Sequence, residues 1–94
     1  MILGKIIGTV WATRKDESLT GAKLLIVRQL DLQYKEKDSF VVAVDSVGAG
    51  HGEVVLVATG SSARQTVNTK NKPVDAVVMA IVDRLDVKKT GNGE

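Results

Sequence analysis

The chain has 94 residues and a formal net charge of +2, from 13 basic and 11 acidic residues. A chain of this length forms one domain, and its two charge signs are mixed along the sequence, which disfavours a nucleic-acid or membrane-surface footprint. The absence of cysteine excludes disulfides, thiolate catalysis and cysteine-based metal sites. With no signal-peptide pattern at its start and no apolar run long enough to cross a bilayer, the sequence predicts a soluble cytoplasmic protein.

Five strand-like runs rich in Val and Ile follow one another, because branched side chains suit a pleated sheet better than a helix. They span residues 2–12, 23–31, 40–45, 54–58 and 74–87. The connections are polar: a turn at residues 15–18, a charged loop at 33–39 and a loop at 68–73 that ends on Pro73. Between the fourth and fifth strands, Ser61 is expected to cap one short helical turn.

This order of elements in so small a chain predicts a mainly β protein, an OB-like five-stranded β-barrel with one short helix. The single domain is expected to span residues 1–87. Residues 88–94 are polar and contain glycine, so they are expected to form a flexible tail.

Three of the predicted strands do not alternate between apolar and polar residues, namely residues 24–27, 54–57 and 77–82. Such runs are typical of strands that are covered on both faces. The sequence contains no long amphipathic helix to supply the second cover, so the barrel interior would cover one face and a neighbouring subunit the other. Tolerated surface valines are the alternative. The pattern therefore favours a homo-oligomer.

The glycine-dense loop at residues 48–52 invites a phosphate-binding interpretation. Its spacing is G-x-G-x-G, it lacks the Gly-Lys-Ser/Thr signature, and it leads into a strand instead of a helix. The glycines instead indicate positive φ angles or close approach of two backbones in a tight connection.

No catalytic, metal or cofactor site is predicted. His51 is the only histidine and lacks metal-ligand neighbours in the sequence, so it is expected to be a solvated loop residue. Ser61 and Ser62 have no base placed by a recognisable motif, and the acidic residues are scattered. Arg64 is open to two interpretations: an ordinary exposed arginine, or a planar donor that ties the turn at residues 60–62 to a neighbouring loop.

Residues 45–64 form the most distinctive block of the chain: a glycine-dense loop, an apolar strand and then Gly-Ser-Ser-Ala-Arg. Together with residues 8–13, 21–25 and 81–83, this block resembles the EutN/CcmL family over about residues 1–87. The resemblance implies a pentameric shell protein that caps the vertices of bacterial microcompartments. The implied partners are further copies of the chain and hexameric shell proteins, with no nucleic acid and no membrane. Family members often have Gly where this chain has Ala80, which is still small.

The resemblance also implies which residues carry the function. It places the glycine loop near the pentamer axis, where five chains converge and only small residues fit, and five copies of His51 there would change the charge of an axial opening near neutral pH. The candidate axial-loop residues are Gly48, Ala49, Gly50, His51, Gly52 and Glu53. The candidate interface or motif residues are Asp45, Gly60, Ser61, Ser62 and Arg64.

An OB-like barrel also suggests a different function, a module that binds single-stranded nucleic acid or a small ligand. Single-strand binding uses aromatic side chains for base stacking and a basic groove. The chain has one Trp, one Tyr and one Phe, and its lysines are interleaved with acidic or neutral residues. The sequence therefore favours the structural role over this alternative.

Overall fold

The computed structural model describes residues 1–88, which form five strands and two short 3-10 helices. The strands are β1 (Ile2–Thr9), β2 (Leu24–Leu30), β3 (Glu36–Asp45), β4 (Val54–Thr59) and β5 (Ala76–Ile81). The 3-10 helices are η1 (Glu17–Leu19), between β1 and β2, and η2 (Gly60–Arg64), between β4 and β5. The strands close into a barrel in the order β1-β2-β3-β5-β4, and only the β3–β5 contact is parallel. This architecture confirms the predicted OB-like barrel.

Three predicted strand boundaries are wrong by three residues or more. β1 ends at Thr9 instead of residue 12. Residues 36–39 belong to β3 and not to a loop, because the ladder with β2 continues to the pair Leu30↔Glu36. Lys5 Nζ also lies 3.4 Å from the Glu36 carboxylate across the sheet. At the other end of the chain, β5 stops at Ile81 instead of residue 87. Of the predicted tail, residues 89–94 lie outside the described residues.

The helical turn after β4 is confirmed, but the predicted cap is wrong. The residue before η2 is Thr59, and no side chain caps the helix. The Ser62 hydroxyl instead donates a hydrogen bond to the Thr59 carbonyl at 2.8 Å. The predicted turn at residues 15–18 contains most of η1, where the Asp16 carboxylate accepts from the hydroxyl and the backbone N–H of Ser18. These bonds hold the pKa of Asp16 below its usual value, the hydroxyl having the larger effect.

The barrel interior is a single apolar cluster to which all five strands and the β3–β4 loop contribute. Its buried members are Ile6, Leu25, Val27, Ala43, Ala49, Val55, Val57, Ala76 and Val78. Gly4 allows β1 to approach β2 closely. A Cβ at Gly4 would overlap the Val27 side chain and lie 2.9 Å from the Arg28 carbonyl oxygen. A side chain at this position would therefore force the two strands apart.

A second cluster covers part of the outside of the barrel. Val44, Val77 and Ala58 lie side by side across β3, β5 and β4, and Ala63 of η2 packs on them. Of the runs predicted to be covered by a neighbouring subunit, Leu24 and Val77 therefore receive cover from the chain itself. Elsewhere the outer face stays open: Phe40, Val42 and Met79 keep 59%, 42% and 40% of their surface exposed.

The loop between η2 and β5 is fixed by Thr69, whose side chain is fully buried. Its hydroxyl donates to the Ala63 carbonyl at 2.6 Å and lies 2.6 Å from the Thr66 hydroxyl. The Thr69 backbone N–H donates to the same Thr66 hydroxyl at 3.1 Å. These bonds hold Ala63, and with it the outer cluster, against the barrel.

We expect Thr69→Val to lower the free energy of unfolding by about 1–3 kcal/mol, because it leaves the buried Ala63 carbonyl without its donor. Valine has nearly the same shape, so the loss reports the hydrogen bonds. The measurement is urea unfolding, with the exposed Thr20→Val as the matched control. Equal stability of the two variants would contradict this role.

Candidate functional site

The loop between β3 and β4 closes one end of the barrel. The Ala49 side chain is 1% exposed and belongs to the interior cluster, so the loop turns inwards at this residue. The Gly52 N–H donates to the Ile6 carbonyl at 2.8 Å, and the Ile6 N–H donates to the Glu53 carbonyl at 3.0 Å. Backbone bonds on both sides of Ile6 thus attach the far end of the loop to β1.

Two carboxylates hold the loop in this shape. One oxygen of Asp45 accepts from the backbone N–H groups of Val47, Gly48 and Ala49 at 3.1, 3.1 and 3.3 Å. The Glu53 carboxylate accepts from the Gly50 N–H at 2.6 Å. Both acidic residues therefore bind backbone amides of this loop, a pattern that is not evident from the sequence.

The glycines of the loop have separate roles. Gly48 and Gly52 adopt φ angles of +75° and +86°, which side-chain-bearing residues rarely adopt. The predicted positive φ is thus confirmed at these two positions. Gly50 has no positive φ, and a Cβ there would lie 3.4 Å from the Glu53 carboxylate. Within one chain, Gly50 is therefore the loop glycine that best tolerates a small side chain.

His51 lies at the exposed turn of the loop, as predicted for a solvated histidine. The His51 side chain forms no hydrogen bond with any of residues 1–88. The described part of the chain also contains no group of three or more His, Cys, Asp or Glu side chains that could hold a metal ion.

Four of the five residues in the second predicted group, Gly60, Ser61, Ser62 and Arg64, belong to η2, and the fifth, Asp45, is the last residue of β3. Gly60 has a φ angle of +69°, and its N–H donates to the Asp75 carbonyl at 2.8 Å. Arg64 donates through Nη1 to the Val74 carbonyl at 2.9 Å, so it ties η2 to the loop that leads into β5. Ser61 is exposed. Asp45 bonds directly to the glycine loop. No hydrogen bond within residues 1–88 joins the four η2 residues to that loop.

A surface groove with a volume of about 380 Å³ lies beside Asp45. The turn before β2, the end of β3 and the loop after η2 form its walls. Its lining residues are Thr20, Gly21, Ala22, Lys23, Val44, Asp45, Val67, Asn68 and Lys72. The mixture of two cations, one anion and small residues matches no cofactor motif in the sequence.

The structure also reveals candidate functional residues that were not predicted from the sequence. Phe40 and Val42 lie on the outer face of the β2–β3 hairpin, where they pair with Arg28 and Ile26. Trp11, between β1 and η1, is 89% exposed. These three residues lie outside the non-alternating runs 24–27, 54–57 and 77–82, so the lack of alternation gave no signal for them.

The fold and the loop define a class: small closed β-barrels with one end closed by an inward-turning glycine loop and part of the outer face left apolar. The sequence model of one family, described as ethanolamine utilisation protein EutN/carboxysome, matches residues 1–83. The chain belongs to the EutN/CcmL family. No helix within the described residues is long and apolar enough to cross a membrane.

Similar proteins agree with this assignment. The chain is 50% identical over 86 residues to the bacterial microcompartment shell vertex protein GrpN of Rhodospirillum rubrum, covering 92% of this chain and 97% of the relative. The solved structure described as the GrpN pentameric microcompartment shell protein has a TM-score of 0.83 at 49% identity and covers 93% of this chain and 100% of that chain. The solved CcmL of Nostoc sp. has a TM-score of 0.90 at 45% identity, covering 94% and 93%.

We expect Asp45→Ala to lower the free energy of unfolding by about 1–3 kcal/mol, because three loop amides lose their common acceptor. Asp45→Asn should cost less, since its carbonyl oxygen can still accept. Urea unfolding measures both, with the exposed Asp75→Ala as the control. If Asp45→Ala has the same free energy of unfolding as the control, the carboxylate does not hold the loop.

Proposed function

We propose that this chain is a structural shell protein of a bacterial microcompartment and that it forms homopentamers at the vertices of the shell. The observation that carries the proposal is the match over 93% of the chain, at 49% identity, to a solved relative described as a pentameric microcompartment shell protein. The role is geometric: a ring of five supplies the curvature that allows flat layers to close.

The structure of the single chain suits this role. A ring is built from heterologous contacts, in which two different surfaces of each subunit meet. The barrel leaves apolar side chains exposed on its outer face, Phe40 and Val42 on β3 and Met79 on β5, and these are available for such contacts. The closed barrel end and the bonded loops give each subunit a fixed shape, which a vertex of defined curvature requires.

We place the glycine loop at the axis of the ring. Its side chains are small apart from His51 and Glu53, and Glu53 is bound to Gly50 within the loop. His51 is exposed and would be the side chain nearest to an axial opening. The η2 group, with Gly60, Ser61 and Arg64 at the surface of the barrel, would lie at or near a subunit contact.

The expected partners beyond the ring are hexameric shell proteins, around which a vertex pentamer would fit. The function is assembly, so no residue is assigned a catalytic role. The alternative, an OB-like module for single-stranded nucleic acid, has support only from its general fold.

The deciding experiment is the native mass of the purified protein, measured by native mass spectrometry and light scattering. Five chains of 10.0 kDa would give a particle of about 50 kDa. A stable monomer would contradict the vertex role, and titration with oligonucleotides at low salt would then test the alternative.

A charge substitution at His51 tests the axial placement. We expect His51→Glu to weaken the pentamer at low salt, because five carboxylates would converge on the axis. Each neighbouring pair would repel by about 0.5 kcal/mol at about 8 Å in water. Salt should restore the ring by screening this repulsion. Light scattering on dilution measures the effect.

Thr20→Glu introduces the same charge at an exposed position outside both groups of candidate residues and is the matched control, which should remain pentameric. His51 is exposed within one chain, so its substitution should leave the subunit folded. If His51→Glu pentamers survive dilution at low salt as well as the control, the loop does not lie at the axis.

A further inference from the structure

β3 has one open edge. It pairs with β2 from Glu36 to Val44, but β5 pairs only with Val44 and Asp45. Within residues 1–88, no strand lies along the other side of residues 36–43. In an antiparallel ladder, alternate residues point their N–H and C=O groups away from the partner strand. This edge is therefore a template for a further strand.

The segment that follows β5, residues 82–88, has almost no partners of its own. The Val82 N–H still donates to the Val54 carbonyl at 2.8 Å, and there the β4–β5 contact ends. Beyond it, the one hydrogen bond to another part of the described chain is the Leu85 N–H donating to the Tyr34 hydroxyl at 3.0 Å. All side chains from residue 83 to 88 are exposed except Leu85, which is half-buried.

Tyr34 holds this segment beside the β2–β3 hairpin from a strained backbone position. Its φ angle is +62°, in a turn where the Asp31 carboxylate accepts from the N–H groups of Gln33 and Lys35. A side chain in this left-handed region costs about 1–2 kcal/mol, and glycine would avoid the cost. The tyrosine provides what glycine could not, an acceptor for the Leu85 N–H.

The segment and the edge match in length and in pattern. The edge has eight residues (36–43) and the segment has seven (82–88). On the edge, Phe40 and Val42 are two apart, so both lie on the outer face and both are exposed. In the segment, Leu85 and Val87 are also two apart, and Val87 is 53% exposed. Each piece also carries charged residues of both signs: Glu36, Lys37 and Asp38 on the edge, and Asp83, Arg84, Asp86 and Lys88 in the segment.

We propose that residues 82–88 of one subunit add as a strand to the open edge of β3, residues 36–43, in the next subunit of the ring. This inference rests on the proposed pentamer. Within the described part of its own chain, the segment forms one hydrogen bond to the hairpin, at Tyr34, and no ladder with β3. Each subunit gives one strand and accepts one, so the contact is heterologous, and in a closed ring every β3 edge is paired. Tyr34 is a positioning residue that directs the segment outwards.

Crosslinking between a tagged and an untagged chain tests the contact. Because the natural sequence has no cysteine, only the introduced cysteines can react. A tagged Asp38→Cys chain is co-expressed with an untagged Asp86→Cys chain, and the assembly is treated with a short bismaleimide. We expect the tagged–untagged pair to be the main crosslinked product. The control pair, Asp38→Cys with Lys70→Cys in the loop after η2, should give only background.

Proline substitutions test the backbone pairing itself. Neighbouring residues of a strand point their N–H groups in opposite directions, so Asp86→Pro and Val87→Pro should differ. The proline that removes a donor to the edge should weaken the pentamer at least about tenfold on dilution, and the other should weaken it less. Circular dichroism checks that both subunits remain folded.

A chain that ends after Val82 should lose pentamer on dilution as readily as the proline variant with the larger effect. If the full chain is a pentamer, three results would overturn this inference and leave the vertex role intact: background crosslinking only, two neutral prolines, or a truncated chain that is pentameric to the same dilution. If the full chain is not a pentamer, the proposed function itself fails.

Discussion

The carboxylate of Asp45 binds three successive backbone amides, and through them it fixes Ala49 inside the end of the barrel. This one contact converts a flexible glycine-rich connection into a closed barrel end. Without it, the interior cluster would open to water at the point where β3 leaves the barrel. The positive φ angles of Gly48 and Gly52 serve the same shape, so the single chain explains these two glycines before any ring is considered.

The outer face of the barrel is covered by the chain itself in one region and left open in another. η2 and the loop after it cover Val44, Ala58 and Val77, with Thr69 holding that cover in place. The outer side chains of β3 and β5 at Phe40, Val42 and Met79 have no such cover. A subunit of a ring needs this division, because a surface that the chain covers itself sets the shape of the subunit, and the surface left open is available to its neighbours.

Much of the fold could be predicted from the sequence, because strand propensity and polar connections are local properties. The five strands and the turn at η2 follow from runs of branched residues and from turn residues. The start of β3 could not be predicted, since residues 36–39 are polar and become a strand only through their pairing with β2. The early end of β5 also depends on a partner strand, because β4 begins at Val54 and provides no ladder beyond it.

By itself, the sequence determined the class of fold, the family and the positive φ angles of Gly48 and Gly52, since these depend on local backbone freedom and on a long distinctive block. Only the tertiary structure decided what Asp45, Glu53 and Arg64 bind, which apolar residues face outwards and where Tyr34 meets Leu85. These contacts join residues through the closure of the barrel. The spacing of residues along a chain does not encode which strands become neighbours when a sheet closes on itself.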